Sequence, residues 1–142
     1  MATVAQLLGH KPSRIHSVAP SAPVLEAIRL MDEHNIGALL VMQGEKLAGI
    51  VSERDYARKV ILKGRSSGDT PVSQIMTADV ISVGPDSTTQ QCMQLMTDKR
   101  VRHLPVVDAG RVVGMLSIGD LVRSVLAEQA QTIEQLEQYI HQ

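Results

Sequence analysis

The chain has 142 residues, a formal net charge of −1, 44% hydrophobic residues, one cysteine and two tyrosines as its only aromatic residues. This apolar fraction indicates a folded globular protein, and a single cysteine cannot form an internal disulfide framework, which favours the reducing cytoplasm. The near-zero charge and the scarcity of aromatic rings argue against nucleic-acid binding, and no apolar run reaches the roughly 20 residues of a membrane span.

The sequence is an internal duplication. Shifted by 65 residues, the segment 17–61 aligns with 82–126 without a gap and is identical at 12 of 45 positions. A fainter similarity precedes each copy, at 4–8 and at 72–76. We therefore predict a division into four parts, in which a stretch rich in Gly, Ser and Pro forms the linker. The parts are a first unit over 2–62, a linker over 63–71, a second unit over 72–127 and a helical tail over 128–142.

Each copy carries the same predicted elements in the same order. A short extended piece ends at a proline, and an apolar stripe with i, i+3, i+4, i+7 spacing then predicts a helix, formed in the first copy by Val24, Ala27, Ile28 and Met31. The matching stripe of the second copy contains Cys92, Met93 and Met96. Two β-branched runs joined by a turn predict a hairpin, and a second helix follows it. The hairpin strands are predicted at 36–42 with 47–51 and at 101–107 with 112–116, and the following helices from Ser52 and Ser117.

Each unit is thus predicted to be β-α-β-β-α. A single three-stranded sheet leaves one face uncovered and has too little core to stand alone. We therefore expect an α+β fold in which the two units pack sheet to sheet with pseudo-two-fold symmetry, followed by a C-terminal helix.

Two motifs at the ends of the hairpins resemble a known signature. Gly49-Ile-Val-Ser-Glu-Arg-Asp55 and Gly114-Met-Leu-Ser-Ile-Gly-Asp120 are similar to the G-h-x-[ST]-x-x-D pattern of CBS domains, and 102–108 is similar to their H-x-P-V-x-D strand. The tandem pair resembles a Bateman module of the stand-alone bacterial type, over about residues 2–127. The resemblance implies a regulatory protein without enzymatic activity, which binds AMP, ADP, ATP, S-adenosylmethionine or NAD in clefts between its units. It also implies a homodimer that signals to a separate, unidentified effector protein.

The residues at these motifs suit such a ligand. Ser52 and Ser117 stand where strand becomes helix and offer a hydroxyl and backbone N–H groups to a phosphate. Asp55 and Asp120 can accept hydrogen bonds from the two ribose hydroxyls, and aliphatic residues would flank adenine. The candidate binding residues of the first copy are Ile15, Val18, Ile36, Gly37, Ala38, Ser52, Arg54, Asp55 and Arg65. Those of the second copy are Ile81, Val83, Arg102, His103, Leu104, Pro105, Met115, Ser117, Gly119 and Asp120.

The same Ser-x-x-Asp spacing has a structural interpretation. It is a capping-box pattern, and each aspartate could pair with the arginine three residues on, Arg58 or Arg123. From spacing alone capping is favoured, although a serine that caps leaves the aspartate able to bind ribose. The copies also differ, because Arg54 is replaced by Gly119, and Gly37-Ala38 by Arg102-His103. We expect two non-equivalent sites, with Arg54 or Arg65 supplementing a cleft built mainly from the other copy.

Two other functions stay open. An enzyme acting on a nucleotide needs a base near the ligand, and His103 is the one candidate. A structural adaptor would have degenerate clefts and bind no nucleotide. The chain lacks P-loop and Rossmann glycine patterns, and its histidines and Cys92 are not spaced as metal ligands, so no metal or further cofactor is expected.

The tail carries a heptad-like apolar seam. Its positions follow each other at spacings of 4, 3, 4, 3 and 4 residues, interrupted by one glutamine. Either this helix folds back on its own domain or it forms a dimer contact. The seam consists of Val122, Leu126, Gln129, Ile133, Leu136 and Ile140.

Overall fold

The computed structural model describes residues 2–9 and 15–141. It divides into two compact units, which we call the central unit, residues 15–81, and the terminal unit, residues 2–9 with 82–141. The predicted α+β class is confirmed, because each unit combines a small sheet with helices. In chain order the regular elements are α1 (Val4–Gly9), β1 (Ser17–Val18), α2 (Val24–His34), β2 (Ala38–Gln43), β3 (Lys46–Ser52), α3 (Glu53–Tyr56), α4 (Thr89–Lys99), β4 (His103–Asp108), β5 (Arg111–Ser117) and α5 (Ile118–Ile140). A π-helical turn over Ala57–Ile61 continues the helix of α3 without a break.

The central unit contains a three-stranded sheet in the order β1-β2-β3. Strand β1 is parallel to β2, and β2 is antiparallel to β3. The middle strand β2 is buried from Ala38 to Val41, as expected for a strand covered on both faces. It begins two residues later than predicted because the preceding backbone groups are used elsewhere: the Ile36 amide bonds to the Met31 carbonyl, and the Gly37 carbonyl accepts from Glu53.

The terminal unit contains the equivalent hairpin of β4 and β5. The strand predicted before α4 is reduced to a single parallel bridge between Val83 and Val106, so the prediction of a third regular strand is wrong for this copy. Val83 still makes two ladder hydrogen bonds, to the Pro105 carbonyl (3.0 Å) and from the Val107 amide (2.9 Å). Pro85 follows two residues later and, lacking an N–H, cannot continue the ladder.

A short lead segment precedes each repeat, at 4–8 and at 72–76, and each packs in the unit that is formed mainly by the other repeat. Helix α1 packs in the terminal unit, where the Val4 amide donates to Ser87 (2.8 Å), and the 3-10 turn Val72–Gln74 packs in the central unit, where the Val72 amide donates to Ala22 (2.8 Å). Val4 and Val72 are both fully buried. The predicted boundaries 2–62 and 72–127 therefore describe repeats in the sequence, whereas each compact unit takes its lead segment from the other repeat.

The predicted linker is folded onto the central unit. The Thr70 carbonyl accepts from the Val24 amide (2.8 Å), the Ser67 carbonyl accepts from the Leu25 amide (3.0 Å), and the hydroxyls of Tyr56 and Ser67 lie 2.9 Å apart. The segment therefore satisfies the free amides at the start of α2, which has no side-chain cap.

The predicted apolar stripes face the two cores. Val24, Ala27 and Met31 are buried in the central unit, and Cys92 and Met96 in the terminal unit. Burial raises the pKa of the Cys92 thiol, as expected for a small apolar core residue rather than a nucleophile. Within the described part of the chain, no helix has both the length and the hydropathy needed to cross a membrane.

Candidate functional site: two strand-to-helix corners

Each hairpin ends in a corner where strand becomes helix. We call Gly49–Asp55 the first corner, in the central unit, and Gly114–Asp120 the second corner, in the terminal unit. Both contain the predicted capping box, which is confirmed. In the first, the Ser52 hydroxyl accepts from the Asp55 amide (3.1 Å) and the Ser52 amide donates to Asp55 Oδ2 (2.9 Å). In the second, the corresponding distances between Ser117 and Asp120 are 3.2 and 2.8 Å.

Most of the backbone donors at the corners are already used. The amide of Glu53 donates to the Gly37 carbonyl (3.0 Å), and that of Ile118 donates to the Arg102 carbonyl (2.8 Å). With the third helical amide bonded to serine, the second amide, of Arg54 or Gly119, is the one left without an acceptor among the described residues. The expectation of several free N–H groups for a phosphate is therefore wrong, because the capping box takes one of the three amides and the carbonyl of Gly37 or Arg102 takes another.

The second oxygen of each aspartate is held by a cation. Asp120 Oδ1 lies 2.6 Å from Arg123 Nη2, as predicted. In the first corner Asp55 Oδ1 is paired instead with Lys59 Nζ (3.2 Å), one residue beyond the predicted Arg58. Lys59 Nζ also donates to the Ile75 carbonyl (2.9 Å) and so links the corner to the segment that follows the linker. Lys59 is not identified from the sequence, although the i, i+4 spacing of Asp55 and Lys59 on a helix is typical of such an ion pair.

These ion pairs are exposed on the side of the cation. The Lys59 and Arg123 side chains are 44% and 73% exposed, while Asp55 and Asp120 are 16% and 12% exposed. Exposed ion pairs contribute only about 0.2–1 kcal/mol, since water screens them. A ligand hydroxyl could therefore replace either cation at Oδ1 at small cost, while Oδ2 stays in the capping box.

The glycines of the two corners, Gly49 and Gly114, have packing roles. A Cβ on Gly49 would lie 2.8 Å from both the Thr77 carbonyl oxygen and Met76 Sδ. The main chain comes this close because Ile50 and Thr77 exchange two hydrogen bonds, of 3.0 and 2.9 Å. On Gly114, the Cβ would meet a methyl group of Leu8 at 2.8 Å. Each glycine thus allows another segment of its own unit to pack against the strand. This packing is sufficient to explain the glycine, and a ligand is not needed to explain it.

The remaining candidates differ in accessibility. Val18, Ala38, Leu104 and Pro105 are buried, so their side chains belong to the cores. Ile36, Gly37, Ile81, Val83, His103, Met115 and Gly119 are partly buried, and Ile15, Arg54, Arg65 and Arg102 are exposed. Within each unit the structure brings together the serine, the aspartate and the residue just before β2 or β4, Gly37 or Arg102, whose carbonyl accepts from the first amide of the helix. No cluster of His, Cys, Asp and Glu among the described residues could hold a metal ion.

Comparison with known proteins gives consistent matches. A family model of the CBS domain matches residues 11–62 and again residues 72–127. Over 122 residues the chain is 48% identical to the CBS domain-containing protein CBSX3, mitochondrial, of Arabidopsis thaliana, covering 82% of this chain but only 59% of that relative. Among solved structures, one of a protein with CBS domains from Burkholderia ambifaria MC40-6 has a TM-score of 0.88 and 55% identity, covering 90% of this chain and 96% of that one. The CBS domain pair of protein MJ0100, in complex with 5′-methylthioadenosine and S-adenosyl-L-methionine, has a TM-score of 0.78 and 26% identity, covering 89% and 98%.

Proposed function

Because the chain belongs to the CBS-domain family, as a tandem pair that constitutes a regulatory module, we propose that it binds an adenosine-containing ligand at its corners and signals to a partner protein. The observation that carries the proposal is the state of the two aspartates. Each presents one carboxylate oxygen, Oδ1, that pairs with an exposed side-chain cation and lies at the start of a helix. That oxygen can accept hydrogen bonds from the vicinal hydroxyls of a ribose once the cation moves aside.

The relatives support an adenosine compound as the ligand. The MJ0100 pair carries 5′-methylthioadenosine and S-adenosyl-L-methionine. AMP, ADP, ATP and NAD contain the same adenosine group, and the proposal includes each of them as a candidate ligand. Regulation requires that the ligand bind one conformation of the protein more tightly than another. Ligand binding then changes the population of the conformation that the partner protein recognises. The cytoplasmic location stays a prediction, since the Arabidopsis relative is named as mitochondrial.

A melting screen tests the proposal. A ligand present at 100 times its Kd stabilises the folded state by roughly 2.7 kcal/mol, so an adenosine compound that binds raises the melting temperature clearly. We expect a shift with at least one of AMP, ATP, NAD, S-adenosylmethionine and 5′-methylthioadenosine, and none with GMP, which differs in its base. Recovery of the ligand unchanged after prolonged incubation is expected of a sensor, whereas its conversion would identify an enzyme.

One observation favours a structural adaptor as the second candidate. Both carboxylate oxygens of Asp55 and of Asp120 already have partners inside the protein, in the capping box and in an ion pair, so the aspartates are satisfied without a ligand. An adaptor of this kind predicts no melting shift with any of the five adenosine compounds. The same screen therefore separates the two functions.

Lys59 gives a sharper test of the first corner. If a ribose competes with Lys59 for Asp55 Oδ1, Lys59→Gln should tighten binding of 5′-methylthioadenosine, which has no phosphate to lose an attraction to lysine. The release of an exposed pair worth about 0.2–1 kcal/mol corresponds to a gain of up to about fivefold. Titration calorimetry at low salt measures the change.

The matched control for this variant is Arg58→Gln. It removes the same charge from the adjacent, exposed position on the same helix. Its affinity for 5′-methylthioadenosine should equal that of the unmodified protein. If both variants shift the affinity equally, the cause is the general field of the helix rather than competition at Asp55.

A further inference from the structure

Helix α5 continues far beyond the body of the terminal unit. Leu121 in its first turn is fully buried, and Glu128 still accepts a hydrogen bond from the Ala2 amide. From Gln129 to His141 every residue is exposed. The helix therefore runs for about three turns with no packing against its own unit.

The exposed part of α5 carries a continuous apolar face. Leu126, Ile133 and Leu136 are each 57–59% exposed and Ile140 is 75% exposed. These residues follow the 3,4 spacing of a coiled-coil seam. A helix of roughly 12 residues without tertiary contacts is only marginally stable in water, so this stretch needs another surface to cover it. Because α5 is one unbroken helix, the seam cannot turn back onto the terminal unit, and the fold-back interpretation of the tail is wrong.

The charges of α5 indicate which surface covers it. Arg123 is the only lysine or arginine in the helix and lies near its start, while Glu134 and Glu137 lie near its end. Two parallel copies would place the acidic ends side by side, where like charges repel. Two antiparallel copies place Arg123 of each beside Glu137 of the other, on the flank of the seam.

We propose that α5 pairs with α5 of a second copy of this chain as a short antiparallel coiled coil centred near Gln131. In this register Leu126 packs on Leu136 of the partner subunit, Ile133 on Gln129 of the partner subunit, and Ile140 on Val122 of the partner subunit. The two copies of Ala130, one from each subunit, lie close together beside the seam, near the centre of the coiled coil. The pairing does not depend on the ligand or on the proposed function.

Cysteine cross-linking in the full-length protein tests both the partner and the direction. Antiparallel pairing about Gln131 separates the two copies of residue 130 by about 3 Å along the axis and those of residue 137 by about 18 Å, from a rise of 1.5 Å per residue. A short bis-maleimide should therefore give a covalent dimer with Ala130→Cys and several-fold less with Glu137→Cys. The unmodified protein is the background control, because its one cysteine, Cys92, is fully buried.

A second pair of variants shows whether the seam holds the contact. In the Ala130→Cys background, Leu136→Glu should abolish the cross-link, while Gln135→Glu, which adds the same charge one residue away from the seam, should leave it. Equal cross-linking at positions 130 and 137 would mean parallel helices and overturn the proposal. So would the absence of a cross-link at position 130, or its survival in Leu136→Glu.

Discussion

Replacing Gly49 with alanine is expected to lower the free energy of unfolding by about 1–3 kcal/mol, the usual cost of forcing an extra carbon into a packed site. The added Cβ would lie 2.8 Å from the Thr77 carbonyl oxygen, which is main chain and cannot rotate away. Relief requires β3 and Thr77 to separate, and this weakens the two hydrogen bonds that Thr77 exchanges with Ile50. Urea denaturation followed by circular dichroism measures the loss.

The duplication supplies a matched control in Gly114. At that position the nearest atoms to an added Cβ are the terminal carbons of the Leu8 side chain. A flexible side chain can change rotamer, so we expect Gly114→Ala to cost less than about 1 kcal/mol. Equal losses in the two variants would show that close main-chain packing is not the reason for the glycine in the first corner.

Replacing Asp120 with alanine is expected to weaken binding of the adenosine ligand by about 10- to 150-fold. This range corresponds to the loss of hydrogen bonds to a charged group, worth about 1.5–3 kcal/mol. The variant also loses half of the capping box, because Asp120 Oδ2 accepts from the Ser117 amide, and this lowers stability by about 1 kcal/mol. Calorimetry with the compound that raises the melting temperature most measures the affinity, and urea denaturation the stability.

Ser117→Ala separates capping from ligand binding at the same corner. It removes the hydroxyl that accepts from the Asp120 amide but leaves the carboxylate in place. We expect a similar loss of stability with an affinity close to that of the unmodified protein. If Ser117→Ala and Asp120→Ala weaken binding equally, the carboxylate acts only as a cap. Asp55→Ala and Ser52→Ala provide the same comparison at the first corner.

The candidate site was predictable where it depends on neighbours in the chain. The capping boxes at Ser52 and Ser117 involve residues three apart at the start of a helix, so spacing alone identifies them. The pair of Asp120 with Arg123 follows from the same periodicity. The identity of the cation at Asp55 did not follow, because both Arg58 and Lys59 are within reach on the helix. Lys59 Nζ also donates to the Ile75 carbonyl, 16 residues on, and a contact of that kind has no local signature.

The amino-acid sequence is sufficient to establish the duplication, the hairpins, the helix stripes and the caps. Each of these features follows from a periodicity of the sequence or from a spacing of a few residues. The tertiary structure alone places α1 in the terminal unit and the turn at Val72–Gln74 in the central unit, folds the linker along α2, and assigns Gly49 to close packing against Thr77. These features depend on backbone groups and apolar side chains that meet across long stretches of chain. Backbone groups are the same at nearly every residue, and apolar side chains pack against many different neighbours. The residue types therefore do not identify which groups pair, and the pairs are decided by the fold as a whole.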